Sequence, residues 1–381
     1  MGAIGERGPN ETLIGQQGSR EALSTPALVL DLDRLERNIA YLADYLGQAG
    51  HGVRPVAKIH KSVEVAKRQM EAGALGQCCA TLAEAEVMAD AGIAGVLLFS
   101  QVVTEPKIAR LARLNARADG LLVAVDDAAV VDRLAAAALA AGKPLRMLVD
   151  FEVGGRRTGL ASVDDAVALA RHIAGTEGAV YAGVQGYNGS FQREPDFAAR
   201  RAEQERCTAP LVELCERLAA AGLAPEIVSG GGTGTYAIDA EAGLFTECQA
   251  GSYIFMDVNY ADTPFEPDNP HPFETSLFVR TTVISARDEF AVTDAGIKEL
   301  QREEFPPRVA SGAHPDSLYE LVGDDMGRVT VPDGERLPQV GDALECIAPH
   351  CYQTLLLYDV YHCVRGDTLV DIWPVDARSQ W

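Results

Sequence analysis

A lysine and two glycine-rich segments are the parts of this sequence that could do chemistry together. Lys58 lies in the segment 54–62, at the end of an apolar run of strand length, and the glycine-rich segments 229–236 and 251–253 follow two later runs of that kind. A lysine amine can form an imine with an aldehyde, and loops at the ends of late barrel strands commonly bind phosphate. The combination indicates an enzyme that holds pyridoxal phosphate (PLP), which carries both an aldehyde and a phosphate group.

The neighbours of Lys58 bear on whether its amine can act as a nucleophile. Arg54, His60 and Lys61 would add positive charge, which favours the uncharged amine. Lys61 is the rival nucleophile, but it lies further from the strand and is predicted to stand on the following helix. An isolated lysine would be better interpreted as a surface residue in a basic loop. The position at a strand end, ahead of two glycine-rich segments, favours Lys58 as the reactive residue.

The two glycine-rich segments are predicted to form a phosphate cup. Glycines at 230–232 and 234 allow close approach of a ligand to the backbone, and the hydroxyl of Thr233 adds a donor. Gly251 and the two residues after it complete the cup. A single glycine-rich turn would be weak support, because many are simple turns, but two on successive strands are a stronger indication.

Apolar runs of strand length alternate with amphipathic segments through most of the chain. Eight such units over roughly 200 residues match the size of a (β/α)8 TIM barrel, so an α/β fold with this barrel is predicted. A doubly wound open sheet is the structural rival. The predicted barrel strands are 53–58, 76–81, 95–100, 120–125, 145–152, 179–187, 225–229 and 246–250. The predicted helices include 33–47, 105–115, 128–141, 164–173 and 197–221.

The pattern changes after the barrel, where 262–273 is rich in Pro and Asp and is predicted to be a linker. The runs that follow are β-rich, which predicts a C-terminal antiparallel β domain. We therefore predict an N-terminal arm at 1–26, a PLP-binding barrel at 27–262 and a β domain at 263–381. The strand 27–32 precedes the first barrel strand and is a candidate to pair with the β domain. The predicted strands of that domain are 276–286, 290–294, 328–331, 343–347, 352–364 and 368–373.

Bulk composition narrows the range of partners. The chain has 381 residues, is 47% hydrophobic and carries a net charge of −22. This acidity would repel nucleic-acid backbones and anionic lipids, so neither nucleic acid nor a membrane is an expected partner. The eight cysteines contain no C-x-x-C pair, which is typical of reduced thiols in a cytoplasmic protein. Residues 1–24 contain no apolar run, so neither a signal peptide nor a membrane span is expected there.

The sequence resembles the fold-III PLP enzymes with an alanine-racemase-like barrel, in the branch of D-threonine aldolase, 3-hydroxy-D-aspartate aldolase and D-serine dehydratase. The resemblance extends over nearly the whole chain and implies Lys58 as the lysine bonded to the cofactor, Arg157 near the cofactor ring or the substrate carboxylate, and a homodimer. The motifs that carry it are the segments 54–62, 82–86, 157–159, 186–189, 229–236, 251–257 and 294–296. The residues that it implies around the cofactor are Tyr187, Gly232, Thr233, Ser252 and Tyr253.

The resemblance departs at the metal site of this branch. Its aldolases hold a divalent cation through the His and Asp of a His-Cys-Asp stretch, whereas this chain has His350, Cys351 and then Tyr352. A neutral phenol is a poor ligand for Mg²⁺ or Mn²⁺, and on a strand Cys351 would point to the face opposite His350. Met326 also stands where the family tends to have a histidine. His350 is thus the one predicted metal ligand, the presence of Mn²⁺ or Mg²⁺ stays open, and His350 with Tyr352 is the predicted acid/base pair.

Three functional hypotheses follow. The first is retro-aldol cleavage of a 3-hydroxy-D-amino acid, of the D-threonine or 3-hydroxy-D-aspartate type, to glycine and an aldehyde. The second is another PLP reaction on a D-amino acid without the family metal, namely dehydration, racemisation or amino transfer. Tyr352 favours this rival, because in a racemase it would suit protonation of one face of Cα with Lys58 on the other. The third is a non-catalytic PLP-binding protein, against which the long β domain argues.

Overall fold

The computed structural model describes residues 7–378, so the first six residues of the predicted arm and the last three of the predicted β domain lie outside the described residues. The described chain divides into two compact units. We call them the barrel unit, which comprises 40–251 and 263–271, and the β unit, which comprises 7–39, 252–262 and 272–378. Each unit contains one large sheet.

The order of strands and helices follows the predicted alternation through the barrel unit and becomes β-rich afterwards. The strands are β1 (Ala27–Asp31), β2 (Gly52–Val53), β3 (Cys78–Cys79), β4 (Leu97–Leu98), β5 (Leu122–Val125), β6 (Leu145–Asp150), β7 (Ala179–Gly186), β8 (Ile227–Gly230), β9 (Glu247–Cys248), β10 (Leu277–Ala286), β11 (Ala291–Thr293), β12 (Arg308–Ser311), β13 (Leu318–Leu321), β14 (Gly327–Thr330), β15 (Ala343–Ile347), β16 (Val360–Arg365) and β17 (Thr368–Pro374). The helices are α1 (Leu32–Gln48), α2 (Val63–Glu71), α3 (Leu82–Asp90), α4 (Glu105–Arg117), α5 (Ala128–Ala140), α6 (Val163–Gly175), α7 (Phe197–Ala220), α8 (Tyr236–Ala242), α9 (Val258–Ala261), α10 (Ile297–Leu300) and α11 (Cys351–Leu355). Short 3-10 helices span Glu11–Leu13, Ala57–Ile59 and Ser252–Ile254.

Eight parallel strands form the sheet of the barrel unit, in the order β2-β9-β8-β7-β6-β5-β4-β3. A parallel bridge between Val56 and Cys78 links the chain just after β2 to β3, so the two ends of this order are joined. An open sheet would leave two unjoined edges. The predicted (β/α)8 TIM barrel is therefore confirmed, and each of the eight predicted strands overlaps an observed one.

The helices of the barrel unit bury one apolar face each. Ile108, Leu111 and Leu114 of α4 are buried, as are Val131 and Leu134 of α5. Residues three or four apart lie on the same face of a helix, so the buried positions follow the helical period. These side chains belong to one core cluster with apolar side chains of the strands. No described helix has the length and the apolar composition that crossing a bilayer requires.

Nine strands form the sheet of the β unit, in the order β11-β14-β13-β12-β15-β10-β1-β16-β17, and β10 also pairs with β11. The strand β1 lies between β10 and β16, antiparallel to the first and parallel to the second. The predicted strand 27–32 therefore lies in the sheet of the β unit. The predicted start of the barrel at residue 27 differs from the structure, because β1 takes both of its neighbours from the β unit.

The other predicted domain boundary also differs from the structure. The segment 252–262 was predicted to end the barrel, but it belongs to the β unit, where its backbone donates to the carbonyl of Ala348 at 3.1 Å. The segment 263–271 was predicted to start the β domain, but it belongs to the barrel unit, where Glu266 accepts a hydrogen bond from the Tyr236 hydroxyl. Long-range hydrogen bonds, rather than composition, thus decide which unit each segment joins.

One predicted strand is partly a helix, and two strands were not predicted. The segment 352–364 begins inside α11, and only its later part forms β16. The strands β12 and β13 are largely exposed, with one buried residue each, Val309 and Tyr319. Without a buried alternate face, a short strand lacks the period of two that would predict it.

Candidate active site

The carboxyl ends of the eight parallel strands share one rim of the barrel unit, and barrel enzymes carry their functional groups at this rim. The residues predicted for the cofactor site in this unit all stand in segments that leave the strands there. Lys58 follows β2, Arg157 follows β6, Tyr187 follows β7, Gly232 and Thr233 follow β8, and Gly251 follows β9.

Lys58 stands in the 3-10 helix Ala57–Ile59 and is half-buried, while Ala57 and Ile59 are buried on either side of it. The prediction that Lys61 stands on the next helix is wrong, since α2 begins only at residue 63. Lys61 has a φ of 50° and is buried in an ion pair with Glu84. Because a carboxylate holds the Lys61 amine, Lys58 is the better candidate for the nucleophile.

The charges around Lys58 differ from the prediction. Arg54 donates from Nε and Nη2 to the carboxylate of Glu247, at 2.8 and 2.7 Å, and both side chains are almost completely buried. Burial lowers the pKa of His60 to about 4, so this imidazole is uncharged at neutral pH. The explanation that cationic neighbours keep the Lys58 amine uncharged is therefore wrong. Each neighbour is paired or neutral, because an unpaired buried charge costs several kcal/mol.

Arg157 and Tyr187 lie together at the rim. The guanidinium carbon of Arg157 is 5.3 Å from the centroid of the Tyr187 ring and 5.8 Å from that of Phe99, which is cation–π geometry. Desolvation raises the pKa of Tyr187, although the charge of Arg157 opposes the rise. The phenol therefore stays protonated and able to donate, and the guanidinium offers its donors to a carboxylate or a phosphate.

The glycine loop after β8 packs closely against the protein itself. A Cβ atom at Gly234 would lie 1.8 Å from the backbone oxygen of Gln192, so only glycine fits there. The N–H of Gly234 donates to Oε1 of Gln192 at 2.8 Å, and the N–H of Gly232 donates to Oγ1 of Thr235 at 3.1 Å. These two N–H groups were predicted to bind phosphate, and the structure shows that other side chains already hold them.

Thr233 ties the loop after β8 to the loop after β9. The N–H of Gly251 donates to Oγ1 of Thr233 at 3.2 Å, and Thr233 is buried. Below this contact, Nε2 of Gln249 donates to Oγ of Ser229 at 2.9 Å. The two segments predicted to form the cup are therefore fixed relative to each other by side chains from both strands.

The groups at this rim fit a phosphorylated aldehyde in kind. The Lys58 amine suits an aldehyde, and the Arg157 guanidinium, the Tyr187 phenol and the Thr233 hydroxyl suit a phosphate or a ring substituent. The one departure is in the glycine loop, where two of the predicted backbone donors are engaged. The donor set thus fits the cofactor in kind, and the N–H groups of Gly232 and Gly234 bind other groups of the protein in this structure.

A second group of functional side chains lies in the β unit. Nδ1 of His350 is 2.9 Å from Oδ2 of Asp257, and the N–H of Cys351 donates to the same oxygen at 3.0 Å. Candidate ligand atoms of these three residues all lie within 4.8 Å of one another. The prediction that Cys351 points away on a strand is wrong, because Cys351 begins the helix α11.

This cluster fits a divalent cation poorly. The thiol of Cys351 is a soft ligand, which suits Mn²⁺ or Mg²⁺ poorly. Mn²⁺ and Mg²⁺ prefer oxygen ligands, and the one carboxylate oxygen near His350 already accepts two N–H donors. His350 keeps the ligand chemistry that was predicted for it, but the structure supplies no second suitable partner among the described residues of the cluster.

The other predicted residues of the β unit stand close to this cluster in the chain. Tyr352 is half-buried, and its ring centroid is 5.8 Å from that of His350 with the planes at 67°. Ser252 and Tyr253 are buried in the 3-10 helix Ser252–Ile254, and the Tyr253 ring is 5.8 Å from that of Phe273. The predicted acid/base pair of His350 and Tyr352 is therefore in contact range.

The chain resembles known proteins in its sequence and in its fold. Residues 30–259 match the family model "Alanine racemase, N-terminal domain", and residues 276–364 match "Putative serine dehydratase domain". A 3-hydroxy-D-aspartate aldolase of Paracoccus denitrificans (strain Pd 1222) is 37% identical over 363 residues, 94% of this chain and 93% of the relative. A D-threonine aldolase of Arthrobacter sp. is 35% identical over 361 residues, with the same coverage. The crystal structure of D-threonine aldolase from Filomicrobium marinum matches with a TM-score of 0.89 at 38% identity, over 94% of this chain and 96% of that one.

Fold and site together define a barrel enzyme of the alanine-racemase type with an added β domain, and the chain belongs to the alanine racemase N-terminal domain family. Within that family it is similar along nearly its whole length to aldolases named for D-threonine and 3-hydroxy-D-aspartate. The predicted resemblance is confirmed. The family implies PLP as the cofactor.

Sequence reasoning missed Asp257 and Gln192 as site residues. Asp257 stands at the N-cap of α9, and an Asp before a short helix is a recognisable capping signal. Its contact with His350, 93 residues away, leaves no local signal. Gln192 lies in the segment between β7 and α7, and only the three-dimensional packing against the glycine loop reveals its role.

Proposed function

We propose that this protein is a PLP-dependent lyase that cleaves 3-hydroxy-D-amino acids, of the D-threonine or 3-hydroxy-D-aspartate type, to glycine and an aldehyde. The observation that carries the proposal is the 35–37% identity to two such aldolases over 94% of the chain. A lysine, an arginine and a tyrosine in segments that leave one barrel rim support it as the groups that a PLP enzyme needs.

We assign the binding roles to residues of the barrel unit. The Lys58 amine is the covalent anchor of the cofactor aldehyde. The Arg157 guanidinium, held over the Tyr187 ring, binds the substrate carboxylate or stands beside the cofactor ring. Thr233 and Gly251 position the loops around the phosphate. When bound, the cofactor supplies an electron sink for the pair released at Cα.

We assign proton removal from the β-hydroxyl to His350. Breaking the Cα–Cβ bond turns the Cβ–O–H group into an aldehyde carbonyl, so the hydroxyl proton must leave. An imidazole is the side chain best suited to accept such a proton near neutral pH. Tyr352 lies next to the imidazole and is the candidate to hold the hydroxyl or to return a proton.

The test is a screen of paired D- and L-3-hydroxy amino acids with product identification. The PLP-loaded enzyme is incubated with D-threonine, L-threonine, 3-hydroxy-D-aspartate and D-serine, and glycine, aldehydes, keto acids and ammonia are quantified. Glycine and an aldehyde from the D-substrates alone would support the proposal. Keto acid with ammonia would indicate a dehydratase instead, and a change in optical rotation without cleavage would indicate a racemase.

We also propose that the protein is a cytoplasmic homodimer. The dimer rests on the family resemblance, and the cytoplasm on the eight cysteines, which are all free thiols among the described residues. Light scattering after gel filtration tests the dimer, because it should give twice the chain mass of 40.6 kDa. A mass of one chain would contradict it.

A further inference from the structure

The carboxylate of Asp257 accepts hydrogen bonds from three donors. Its side chain has no exposed surface. Oδ2 accepts from Nδ1 of His350 at 2.9 Å and from the N–H of Cys351 at 3.0 Å, and Oδ1 accepts from the N–H of Tyr260 at 3.2 Å. A carboxylate has about four lone-pair directions, so little capacity for a metal ion is left.

The contact with Asp257 fixes the tautomer of His350. A carboxylate accepts hydrogen bonds and does not donate them, so the ring proton must sit on Nδ1. Nε2 then carries the lone pair and can accept a proton. His350 is about one quarter exposed at 27%, so its imidazole is accessible while Asp257 is not.

A divalent cation could take Nε2 of His350 and leave the contact with Asp257 intact, because metal-bound histidines commonly donate their other N–H to a carboxylate. It would still need further protein ligands. As a second ligand, Asp257 offers little. A cation at Oδ2 would have to displace Nδ1 of His350 or the N–H of Cys351, and Oδ1 has one lone-pair direction left beside the N–H of Tyr260. The remaining candidates are the soft thiol of Cys351 and the phenol of Tyr352, and both are poor ligands for Mn²⁺ or Mg²⁺.

We propose that Asp257 is a positioning residue for His350 and that this pair removes the β-hydroxyl proton without a divalent metal. The inference rests on the proposed lyase function and deepens it. Nε2 of His350 takes the hydroxyl proton. The electron pair left on the oxygen forms the aldehyde carbonyl, and the electron pair of the broken Cα–Cβ bond stays with Cα. Cα takes up one proton and His350 releases one, so the substrate equals glycine plus aldehyde in atoms and charge.

The first experiment measures metal binding directly. The PLP-loaded enzyme is treated with EDTA, desalted and titrated with Mn²⁺, and free Mn²⁺ is followed by electron paramagnetic resonance. If Asp257 and His350 act without a metal, we expect no stoichiometric binding at millimolar Mn²⁺. We also expect the same rate of D-threonine cleavage with and without EDTA. One bound Mn²⁺ per chain that disappears in Asp257→Asn, together with an EDTA-sensitive rate, would overturn the inference.

The second experiment separates positioning from folding. Asp257→Asn keeps the shape of the side chain and an oxygen that can accept the helix N–H groups, but it removes the charge that orients and supports His350. We expect kcat to fall about 100-fold or more, in line with the loss of a general base, with KM and the cofactor absorbance unchanged. The matched control is Asp262→Asn, an exposed aspartate of the same segment, which should keep the wild-type rate.

The outcomes distinguish this inference from the proposed function. If the wild-type enzyme cleaves D-threonine only with Mn²⁺, the proposed lyase function stands and the metal-free role of Asp257 and His350 is overturned. A kcat of Asp257→Asn within twofold of the wild type also overturns the pair, because nothing then depends on the carboxylate. A wild-type enzyme that cleaves none of the substrates, with or without Mn²⁺, overturns the function and the inference with it. If Asp257→Asn loses its cofactor absorbance or its fold, KM and kcat are measured for Asp257→Glu instead. A wild-type KM with a lowered kcat in that variant supports the positioning role.

Discussion

The segments around Lys58 and His350 differ in the partners of their buried charges. Next to Lys58, the side chains of Arg54 and Lys61 each form a buried pair with a glutamate. At His350, the buried carboxylate of Asp257 meets an imidazole and backbone N–H groups, and no arginine or lysine among the described residues pairs with it. The first segment holds permanent charges in pairs, and the second holds a group that can gain and lose a proton.

The two kinds of buried charge suit the two segments to different chemical roles. A guanidinium or ammonium held by a buried carboxylate keeps its charge and its place, so it can shape a site but cannot exchange protons near neutral pH. An imidazole beside a carboxylate is suited to exchange them. We infer that the chain around Lys58 is built for rigid placement of one amine, whereas the chain around His350 is built for proton transfer.

The largest effect that would test this comparison comes from Lys58→Ala. If the paired neighbours serve only to place this amine, its loss should abolish the visible absorbance of lysine-bound PLP and reduce cleavage to below detection. The measurement is the absorbance spectrum after reconstitution with PLP and desalting. Lys67→Ala, an exposed lysine of α2, is the matched control and should keep the spectrum. An unchanged spectrum in Lys58→Ala would show that another amine binds the aldehyde.

The next effect concerns stability. Glu247→Gln leaves the buried guanidinium of Arg54 without its carboxylate, and breaking a buried pair in this way costs about 3–5 kcal/mol. We expect a clear fall in the midpoint of thermal unfolding. Asp90→Asn removes the carboxylate from the exposed pair with Arg117 and should change the midpoint much less. Equal shifts in the two variants would contradict the distinction between buried and exposed pairs.

Much of the barrel could be predicted from the sequence, because several of its strands are apolar runs that end at glycine or polar residues. The strand β6 is an example, since five of its six residues are buried and Asp150 ends it. Lys58, Arg157 and Tyr187 could be predicted too, because a strand end is a local feature. The order of the strands then brings them to one rim without further information.

The rest depended on contacts between distant residues. The helix α11 was predicted as a strand because its apolar residues continue into β16, and its first N–H is held by Asp257, 94 residues away. The engaged N–H groups of the glycine loop depend on Gln192, which is 42 residues from Gly234. Such contacts leave no periodic signal in the sequence, so composition could propose the chemistry but could not tell which donors were already in use.

A smaller effect should follow pH at Asp239, a buried carboxyl of the barrel unit that forms no ion pair among the described residues. Burial raises the pKa of Asp239 from 3.8 to about 7, and its Oδ2 has no hydrogen-bond partner among the described residues. The folded chain therefore holds a proton that the unfolded chain releases, so stability falls as pH rises from about 3.8 to about 7 and is level above that. We expect Asp239→Asn to unfold at nearly the wild-type temperature at pH 4 and at a higher temperature at pH 8.

The control for that pH series is Glu241→Gln, an exposed acid of the same helix. The hydrogen bond from Arg201 lowers the pKa of Glu241, so this variant should lose stability at pH 8 where Asp239→Asn gains it. The measurement is the midpoint of thermal unfolding at pH 4, 6 and 8. A gain for Asp239→Asn that does not grow with pH would mean that the carboxyl is already charged at pH 4.

The change of least consequence for activity is expected at Tyr352, where a substitution can add a metal ligand next to His350. Tyr352→Asp places a carboxylate two residues after His350, and carboxylate oxygen is what Mn²⁺ prefers. We expect weak Mn²⁺ binding that the wild type lacks. We expect kcat to stay within about tenfold of the wild type, because His350 remains as the general base, and a general base contributes a rate factor of roughly two to four decades. Tyr352→Phe is the control, because it removes the phenol without adding a ligand. If both variants bind no Mn²⁺, the metal is excluded by Asp257 and its donors and not by the residue at position 352.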